Sequence, residues 1–462
     1  MTDLVCISPI DGREIARRPL ATQAHIDHVM KAAHAAQKHW AHEPVKQRAD
    51  AVLRFLDALL AMNQDVVPEL ALQMGRPVRY GGEFRGVEER IRHMAAIAED
   101  ALAPLTPQPT RDGFTRLIER EPLGVVLVIA PWNYPFLTAV NTIAPALIAG
   151  NAVVLKHATQ TLLAGERIAQ AMEKAGLPEG LFANLHLSHD QTAAILTKKQ
   201  VNHCNFTGSV HGGRTIERAA AGTFISLGLE LGGKDPAYVR EDADLAYAIE
   251  NIVDGAFFNS GQCCCGIERV YVHEKHFDAF VEGTVALTRK YVLGNPLHEA
   301  TTLGPMATAK GADVVRAQIQ DAIAKGAKAH IPASDFPVDI GKGPYLAPQI
   351  LTHVDHSMAL MREENFGPVI GIMKVADDVE AVHLMNDSPY GLTASIWTQD
   401  AEAAHRLGRQ IETGTVFMNR CDYLDPALAW TGVKDTGRGV SLSEIGYAML
   451  TRPKSFHLKT KI

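Results

Sequence analysis

Three consecutive cysteines, Cys263 to Cys265, follow the short segment 257–262. A carboxylate, Glu230, stands upstream of them in the sequence Glu-Leu-Gly-Gly-Lys. Covalent acyl chemistry uses a thiolate as nucleophile and a carboxylate as general base. Neighbouring cysteines have poor geometry for bridging one another, so a disulfide is not expected here. Buried, unreactive cysteines are also common in protein cores, and this segment by itself leaves both interpretations open.

The composition limits the kind of protein that carries these cysteines. At 462 residues the chain exceeds one ordinary hydrophobic core, so two or three domains are expected. A net charge of -7 gives no basic surface for nucleic acid or an anionic membrane, and neither is expected as a partner. The N-terminus lacks the pattern of a secretory signal, which predicts a cytoplasmic protein with free thiols. The most apolar stretch, 139–155, is interrupted by Asn, Pro and Gly and is not a membrane span.

The hydrophobic pattern predicts an α/β protein that could position these groups. Residues 22–62 have the spacing of amphipathic helices, and helices alternate with apolar strands from residue 114 onward. This alternation predicts a parallel sheet covered by helices on both faces, with ligands at the carboxyl ends of its strands. The predicted strands are 114–118, 125–129, 152–155 and 201–206, and the predicted helices are 137–149, 162–175, 212–221, 245–257, 274–290 and 311–325. A terminal strand within 451–462 is expected to have an exposed edge that recruits another subunit.

Polar residues follow two of the predicted strands. Lys156 comes directly after one strand, and Thr207, Gly208 and Ser209 follow another. Gly208 allows close approach of the backbone to a phosphate, and the next helix would direct its positive end toward it. A GxGxxG fingerprint is absent, and glycines after strands are often simple turn residues. Histidines cluster between residues 25 and 42, but no cysteine or carboxylate completes a ligand pattern, so no metal site is predicted.

Six segments in combination resemble the aldehyde dehydrogenase superfamily, from about residue 5 to the end of the chain. The matching segments are Pro131-Trp132-Asn133-Tyr134-Pro135, Lys156, Phe206-Thr207-Gly208-Ser209, Glu230-Leu231-Gly232-Gly233-Lys234, Gly261-Gln262-Cys263-Cys264 and Glu363-Glu364-Asn365-Phe366-Gly367-Pro368. The resemblance implies an α/β fold with a Rossmann-type dinucleotide-binding domain (1–104 and 123–231) and an α/β catalytic domain (232–443). It also implies a small β oligomerisation arm (105–122 and 444–462) and a homodimer or homotetramer.

The resemblance also implies the catalytic residues. Cys264, at the fourth position of the Gly-Gln-x-Cys segment, matches the nucleophile that forms a thiohemiacetal and then a thioester. The side-chain amide of Asn133 and the backbone N–H of Cys264 match the donors that stabilise the oxyanion. Glu230 matches the base that activates the hydrolytic water. The implied reaction is oxidation of an aldehyde to a carboxylic acid with NAD or NADP.

Cofactor residues are implied in the same way, and one departure from the family pattern bears on the choice of cofactor. Many NAD-preferring members have a glutamate three positions after the lysine, whereas this chain has Thr159, with His157 as an additional donor. Without that carboxylate a 2'-phosphate is not repelled, so NADP is predicted to be accepted and preferred over NAD. The implied cofactor-binding residues are Trp132, Lys156, Thr159, Gly208, Ser209, Gly213, Glu364 and Phe366.

The substrate is less defined than the reaction. Tyr134, Tyr423 and Trp430 would form an aromatic pocket that favours aromatic or medium-sized aldehydes, although they are equally consistent with packing. Arg420 would instead meet the carboxylate of a semialdehyde, as in a succinate semialdehyde-type enzyme. A CoA-acylating dehydrogenase does not need the base Glu230 and is the weaker alternative. An inactive binding protein is disfavoured by the complete set of Asn133, Glu230 and Cys264, and a zinc protein lacks the ligand spacing.

Overall fold

The computed structural model describes residues 3–462, in which four helices near the N-terminus precede a mixture of strands and helices. The helices are α1 (Gln23–Trp40), α2 (Val45–Leu60), α3 (Asn63–Met74), α4 (Phe84–Ala101), α5 (Pro135–Ile148), α6 (Leu162–Lys174), α7 (His189–Thr197), α8 (Val210–Ala220), α9 (Leu245–Phe257), α10 (Phe277–Thr288), α11 (Ala309–Ala324), α12 (Ala359–Arg362), α13 (Asp378–Asn386), α14 (Ala401–Gly408) and α15 (Ser443–Met449). The strands are β1 (Leu4–Ile7), β2 (Glu14–Arg18), β3 (Phe114–Pro122), β4 (Val125–Ala130), β5 (Ala152–His157), β6 (Phe182–Asn184), β7 (His203–Thr207), β8 (Ser226–Glu230), β9 (Asp235–Val239), β10 (Ile267–His273), β11 (Lys328–Ala329), β12 (Gln349–Thr352), β13 (Val369–Val375), β14 (Thr393–Trp397), β15 (Thr415–Met418), β16 (Gly437–Arg438) and β17 (Thr451–Lys459).

The first sheet has six strands in the order β16-β8-β7-β4-β5-β6. Strands β4 to β8 are parallel, and the short β16 pairs antiparallel with β8. Every residue of β4 and β5 is buried, as expected for apolar strands that helices cover on both faces. The chain proceeds outward from β4 to β5 and β6 on one side, and to β7 and β8 on the other. The carboxyl ends of β4 and β7 therefore form the switch point at which such sheets bind ligands.

The second sheet has seven strands in the order β11-β12-β13-β10-β9-β14-β15. All neighbouring strands in it are parallel except β11, which runs antiparallel to β12. The predicted α/β class is confirmed by these two largely parallel sheets and their covering helices. The segment that links α9 to β10 in this region carries the three cysteines, so they belong to the part of the chain that forms the second sheet.

A two-stranded antiparallel ribbon stands apart from both sheets. Strands β3 and β17 pair over their whole length, from Thr451 opposite Pro122 to Lys459 opposite Phe114. Most side chains of β17 are exposed, so this strand presents a free edge with unpaired backbone groups. Between residues 3 and 462, no helix combines the length and the apolar character needed to cross a bilayer.

Candidate active site

The cysteines lie on a loop with an unusual backbone. Asn259, Ser260 and Gly261 have φ values of 54°, 58° and 69°, three left-handed residues in succession that are separated from the end of α9 by Phe258. Non-glycine residues adopt this conformation at a cost, which surrounding contacts must offset. Asn259 Nδ2 donates to the carbonyl oxygens of Asn133 and Gln262, both at 3.2 Å, and Ser260 Oγ donates to the Gly304 carbonyl at 2.8 Å. These hydrogen bonds, to Asn133 on one side and to Gly304 on the other, therefore hold the loop in one conformation.

The three cysteines occupy different environments. Cys263 and Cys265 are buried, with their sulfur atoms 3.5 Å apart, whereas Cys264 is half-buried. The pKa of the Cys263 thiol is lowered because it accepts hydrogen bonds from Cys264 and Cys265. The hydrogen bond to Cys263 and burial raise the pKa of the Cys264 thiol. Cys264 is thus the most accessible of the three.

Two spaces meet at Cys264 and Glu230. An inner cavity of about 140 Å³ lies on one side, and an outer cleft of about 280 Å³ lies on the other. The inner cavity is lined by Arg90, Tyr134, Leu137, Thr138, Asn141, Thr207, Glu230, Leu231, Phe258, Cys263, Cys264, Cys265, Leu392, Asp422, Leu424 and Trp430. The outer cleft is lined by Pro131, Trp132, Asn133, Thr207, Gly208, Ser209, Glu230, Leu231, Gly232, Cys264, Glu364 and Phe366. Of the cysteines, Cys264 alone borders both spaces.

Asn133 is fixed between β4 and α5 beside the cysteine loop. Its Nδ2 donates to the Gln262 carbonyl at 3.2 Å, and its own carbonyl accepts from Arg76 Nη2 at 2.6 Å. Arg76 in turn forms a buried salt bridge with Glu83, whose Oε2 accepts the first free N–H groups of α5. Among residues 3–462, the backbone N–H of Cys264 has no hydrogen-bonding partner. Asn133 and Cys264 both line the outer cleft, and within residues 3–462 the Cys264 N–H is free to donate there.

Arg76 and Glu83 were not found by sequence reasoning. They lie in the chain well before Asn133, and no local motif marks either residue. Arg76 and Glu83 stand among other charged residues such as Arg79 and Arg85, so the sequence offers no signal for them, and only tertiary packing buries the pair. Their effect is to anchor the turn that carries Asn133.

Glu230 is the last residue of β8 and borders both spaces. Burial raises the pKa of its carboxyl group, while the Ser441 hydroxyl, which donates to Oε1, and the charge of Arg90 act in the opposite direction. A carboxyl group whose pKa lies closer to neutrality is a better general base at physiological pH. Its position beside Cys264 and its pKa both suit proton abstraction from a water molecule.

The outer cleft gathers most of the predicted cofactor residues. Trp132, Gly208, Ser209, Glu364 and Phe366 all line it, and the Trp132 and Phe366 rings meet edge to face at 5.5 Å. Ser209 caps α8, because its Oγ accepts the Gly212 N–H at 3.2 Å, so this helix begins at Val210 rather than at 212. The cleft therefore meets the positive end of α8, which favours a phosphate group.

The loop that carries Glu364 is set by a network that the sequence did not reveal. Glu268 accepts the N–H groups of Asn365 and Phe366, both at 2.9 Å, and pairs with the buried Lys234 at 2.7 Å. Glu364 Oε1 accepts the Gly233 N–H at 3.1 Å, and burial raises the pKa of Glu364 to about 8. A side chain at Gly232 would collide with the Glu364 carboxylate, which explains the glycine there.

Three predicted cofactor residues lie outside the lining of the outer cleft. Lys156 is buried near the end of β5, and burial lowers its pKa. Thr159 begins the turn that follows, and Gly213 packs against Leu231, where a Cβ atom would lie 2.5 Å from Leu231 Cδ2. His157 is committed to internal contacts, since Nε2 donates to the Pro135 carbonyl at 3.1 Å and burial lowers its pKa to about 4. A neutral, buried His157 does not present a donor to a cofactor.

The structure separates the predicted substrate residues into two groups. Tyr134 and Trp430 line the inner cavity. Within the described residues 3–462, the lining of this cavity does not include Arg420 or Tyr423. Instead, the Arg420 guanidinium lies 3.6 Å from the centre of the Tyr423 ring, and the Tyr423 hydroxyl donates to Glu89. Arg90 and Asp422, which the sequence did not single out, take the charged positions in the cavity.

Comparisons with known proteins agree with this arrangement. The pattern described as "Aldehyde dehydrogenase family" matches residues 2–456. The chain is 32% identical over 447 residues to a succinate semialdehyde dehydrogenase [NAD(P)+] of Escherichia coli, covering 96% of both chains. It is 33% identical to a geranial dehydrogenase of Castellaniella defragrans, covering 95% of this chain and 92% of the relative. It also superposes on the NADP-dependent glyceraldehyde-3-phosphate dehydrogenase of Bacillus halodurans with a TM-score of 0.93 and 32% identity, covering 100% and 96% of the two chains.

The family match and these relatives place the chain among the NAD(P)-dependent oxidoreductases. The chain belongs to the aldehyde dehydrogenase family. The expected family and fold are confirmed over nearly the whole chain, and the protein acts as an NAD(P)-dependent oxidoreductase on an aldehyde group.

Proposed function

We propose that the protein oxidises a small aldehyde to the carboxylic acid through a thioester on Cys264. The observation that carries this proposal is the position of Cys264, the one cysteine that borders both the inner cavity and the outer cleft. A substrate carbonyl in the cavity and a cofactor in the cleft would then meet at its sulfur. Glu230 borders the same two spaces and can serve the second half of the reaction.

The chemistry of the first half follows from the groups around the sulfur. The Cys264 thiolate attacks the aldehyde carbon and forms a thiohemiacetal, whose oxyanion receives hydrogen bonds from Asn133 Nδ2 and the Cys264 N–H. Trp132, Glu364 and Phe366 would hold a nicotinamide in the cleft, and that group would supply the acceptor for the hydride of this carbon. Since attack requires the thiolate and the pKa of Cys264 is raised, acylation is expected to become faster as pH rises.

The second half releases the acid. Glu230 takes a proton from a water molecule, whose oxygen attacks the thioester carbon and expels the Cys264 sulfur. The product is the carboxylic acid, and the enzyme returns to its starting state once Glu230 has released its proton to solvent. The presence of this base supports hydrolysis over transfer to CoA, because a thiol acceptor does not require activation by a carboxylate.

The cofactor is proposed to be NADP in preference to NAD. Ser209 and the start of α8 suit a pyrophosphate, and Glu364 and Phe366 suit the nicotinamide ribose and ring. Lys156, buried near the end of β5 and outside the lining of the cleft, is proposed for the adenosine ribose from the family resemblance. Trp132 and Gly208 line the same cleft, and Gly213 permits the close contact between α8 and Leu231. Thr159 leaves the region near Lys156 without an added carboxylate. Steady-state kcat/KM with the two cofactors tests this preference, and a strong preference for NAD would contradict it.

The substrate proposed on the basis of the cavity is a small aldehyde. A volume of about 140 Å³ is close to that of the apolar cavity of ~150 Å³ that accommodates benzene in another protein. Tyr134, Phe258 and Trp430 give the cavity aromatic walls, which suit an aromatic ring or a short carbon chain. Relatives named for succinate semialdehyde and for geranial bracket this range of substrates.

The nucleophile is tested by two matched variants. We expect Cys264→Ala to abolish NAD(P)H production and Cys263→Ala to retain much of it, because only Cys264 borders both spaces. Absorbance at the reduced cofactor's band, with a screen of aliphatic, aromatic and carboxylate-bearing aldehydes, provides the measurement. The opposite pattern would assign the nucleophile to Cys263.

The domain boundaries inferred above and the role of the ribbon are likewise proposals. The ribbon of β3 and β17 is proposed as an arm that pairs across subunits in a homodimer or a homotetramer. Its free edge and its separation from both sheets support this role. Light scattering of the intact chain and of a chain that ends at residue 450 tests it, and an unchanged mass after truncation would contradict it.

A further inference from the structure

The inner cavity contains a buried cation without a counter-ion. Arg90, on α4, is 8% exposed and lines the cavity. Its Nη1 donates to the Leu137 carbonyl at 3.1 Å and to Asn141 Oδ1 at 3.0 Å. Among residues 3–462, no carboxylate forms a salt bridge with this guanidinium, and neither Nε nor Nη2 has a hydrogen-bonding partner. A buried charge without a partner is costly, so it calls for a ligand.

Glu83 and Glu230 are the carboxylates that interact with the charge of Arg90, but both have other hydrogen-bonding partners. Glu83 accepts from Arg76 and from two N–H groups of α5. Glu230 accepts from the Ser441 hydroxyl. Neither therefore completes the hydrogen bonding of the Arg90 guanidinium.

A second unsatisfied donor lies beside it. Asn141, on α5, is 3% exposed and also lines the cavity. Because a guanidinium only donates, Asn141 directs its oxygen to Arg90, and its Nδ2 has no partner among the described residues. An arginine and an amide donor side by side match the two oxygens of a carboxylate, which a guanidinium binds in a bidentate manner.

We propose that Arg90 and Asn141 form an anion subsite that binds the remote carboxylate of the substrate, so that the protein acts on short aldehydes with a carboxylate at the far end. This inference rests on the proposed function, because it places the aldehyde carbon at Cys264. The cavity of about 140 Å³ limits the chain between the two groups to a few carbons. The positive charge that a semialdehyde needs is thus supplied from α4 and not by Arg420.

Asp422 offers the competing orientation within the same cavity. Its carboxyl group lines the cavity, and its pKa is raised to about 7 by burial, so much of it is uncharged at neutral pH. If the end of the substrate remote from the aldehyde, its tail, were directed at Asp422, a neutral or cationic tail would be favoured. Arg90 remains charged at that pH and lacks a partner, which is why we assign the tail to Arg90.

The test compares two substrates that differ in the tail alone, 4-oxobutanoate and butanal. For the intact protein, kcat/KM is expected to be at least about 30-fold higher for 4-oxobutanoate, the effect of one hydrogen bond to a charged group. In Asn141→Asp, an isosteric change, the new carboxylate pairs with Arg90 and removes the unpaired donor. We expect kcat/KM for 4-oxobutanoate to fall about 30-fold more than that for butanal, chiefly through KM. A ratio near one in the intact protein would overturn the proposal.

Further variants separate this role from others. If Asn141→Asp slowed both substrates equally, Arg90 would act on Cys264 or Glu230 and not on the tail, and the subsite would be refuted. Arg90→Lys keeps the charge but loses the bidentate geometry, so it should lower the ratio, and it provides the test if Asn141→Asp does not fold. Asp422→Asn is the matched control inside the cavity, and an equal loss of the ratio there would assign the tail to Asp422.

Binding can be measured apart from turnover. Titration calorimetry of Cys264→Ala with 4-oxobutanoate and with butanal is expected to give tighter binding of 4-oxobutanoate, and the difference should disappear when Asn141→Asp is added. If that difference is found but the intact protein oxidises neither compound, the proposed reaction fails while the subsite stands. If both compounds are oxidised without discrimination in binding or rate, the subsite fails while the reaction stands.

Discussion

Replacing Glu230 by Gln separates the two halves of the proposed reaction. Gln has the same shape and can accept a hydrogen bond from the Ser441 hydroxyl through its amide oxygen, so the fold around β8 and β16 is expected to persist. It cannot take a proton from water. In the proposed mechanism, acylation of Cys264 uses Asn133 and the Cys264 N–H, and neither contacts the altered group through a hydrogen bond. Thioester formation should therefore continue while hydrolysis stops.

The size of the effect follows from general-base catalysis, which typically contributes about 10² to 10⁴ in rate. Rapid mixing of Glu230→Gln with aldehyde and cofactor should give a burst of one NAD(P)H per Cys264. A steady-state rate lower by about 10² to 10⁴ than that of the intact protein should follow. Loss of the burst together with the steady state would show that Glu230 serves acylation, and an unchanged steady state would show that another group activates the water.

The pH dependence gives an independent check on the same residue. The pKa of Glu230 is raised by burial, and the base form is the ionised one, so the steady-state rate should increase with pH until Glu230 is fully ionised. In Glu230→Gln this increase should be lost. Ser441→Ala removes a hydrogen bond that favours the ionised form and should move the increase to higher pH. A profile that is the same in all three proteins would refute the assignment.

Three other predictions follow from single contacts. Asn133→Ala should lower kcat by about 10² to 10³ in steady-state assays, and a change confined to KM would argue against oxyanion stabilisation. Thr159→Glu should lower kcat/KM for NADP about 10-fold or more relative to NAD, because a carboxylate repels the 2'-phosphate, and equal effects on both cofactors would contradict this. Glu268→Gln should lower the free energy of unfolding by about 3 to 5 kcal/mol in urea titrations, because it leaves Lys234 buried without a counter-ion, and a stability within experimental error of the intact protein would contradict it.

The sequence predicted those parts of the fold that depend on local pattern. Helix α9 spans Leu245–Phe257 as the apolar spacing predicted, because its buried residues recur on one face. The strands that lead to Lys156 and Ser209 were also predicted, since apolar runs buried on both faces identify parallel strands. The prediction placed the start of α8 two residues late, because the cap by Ser209 is a side-chain contact that hydrophobicity does not encode.

The charged groups of the cavity could not be predicted in this way. Arg420 was a reasonable choice for a substrate carboxylate because it lies close to Trp430 in the sequence, but it stacks on Tyr423 outside the cavity. Arg90 reaches the cavity because α4 packs against α5, and nothing in its own segment distinguishes it from other arginines on an amphipathic helix. Which side of a helix meets a cavity is decided by tertiary packing, and a single sequence does not state it.

The charge of Arg90 affects the pKa of Glu230, and this interaction has a measurable consequence. The positive charge of Arg90 lowers the pKa of Glu230, in opposition to burial. A substrate carboxylate bound to Arg90 would neutralise that charge, and the tail remains in place in the thioester. The pKa of Glu230 should therefore be higher while an anionic acyl group is attached to Cys264 than while an uncharged one is. The increase of the steady-state rate with pH should accordingly occur at higher pH with 4-oxobutanoate than with butanal, and the difference should vanish in Asn141→Asp, where Arg90 is already paired. Identical profiles for the two substrates in the intact protein would show that the tail does not reach Arg90.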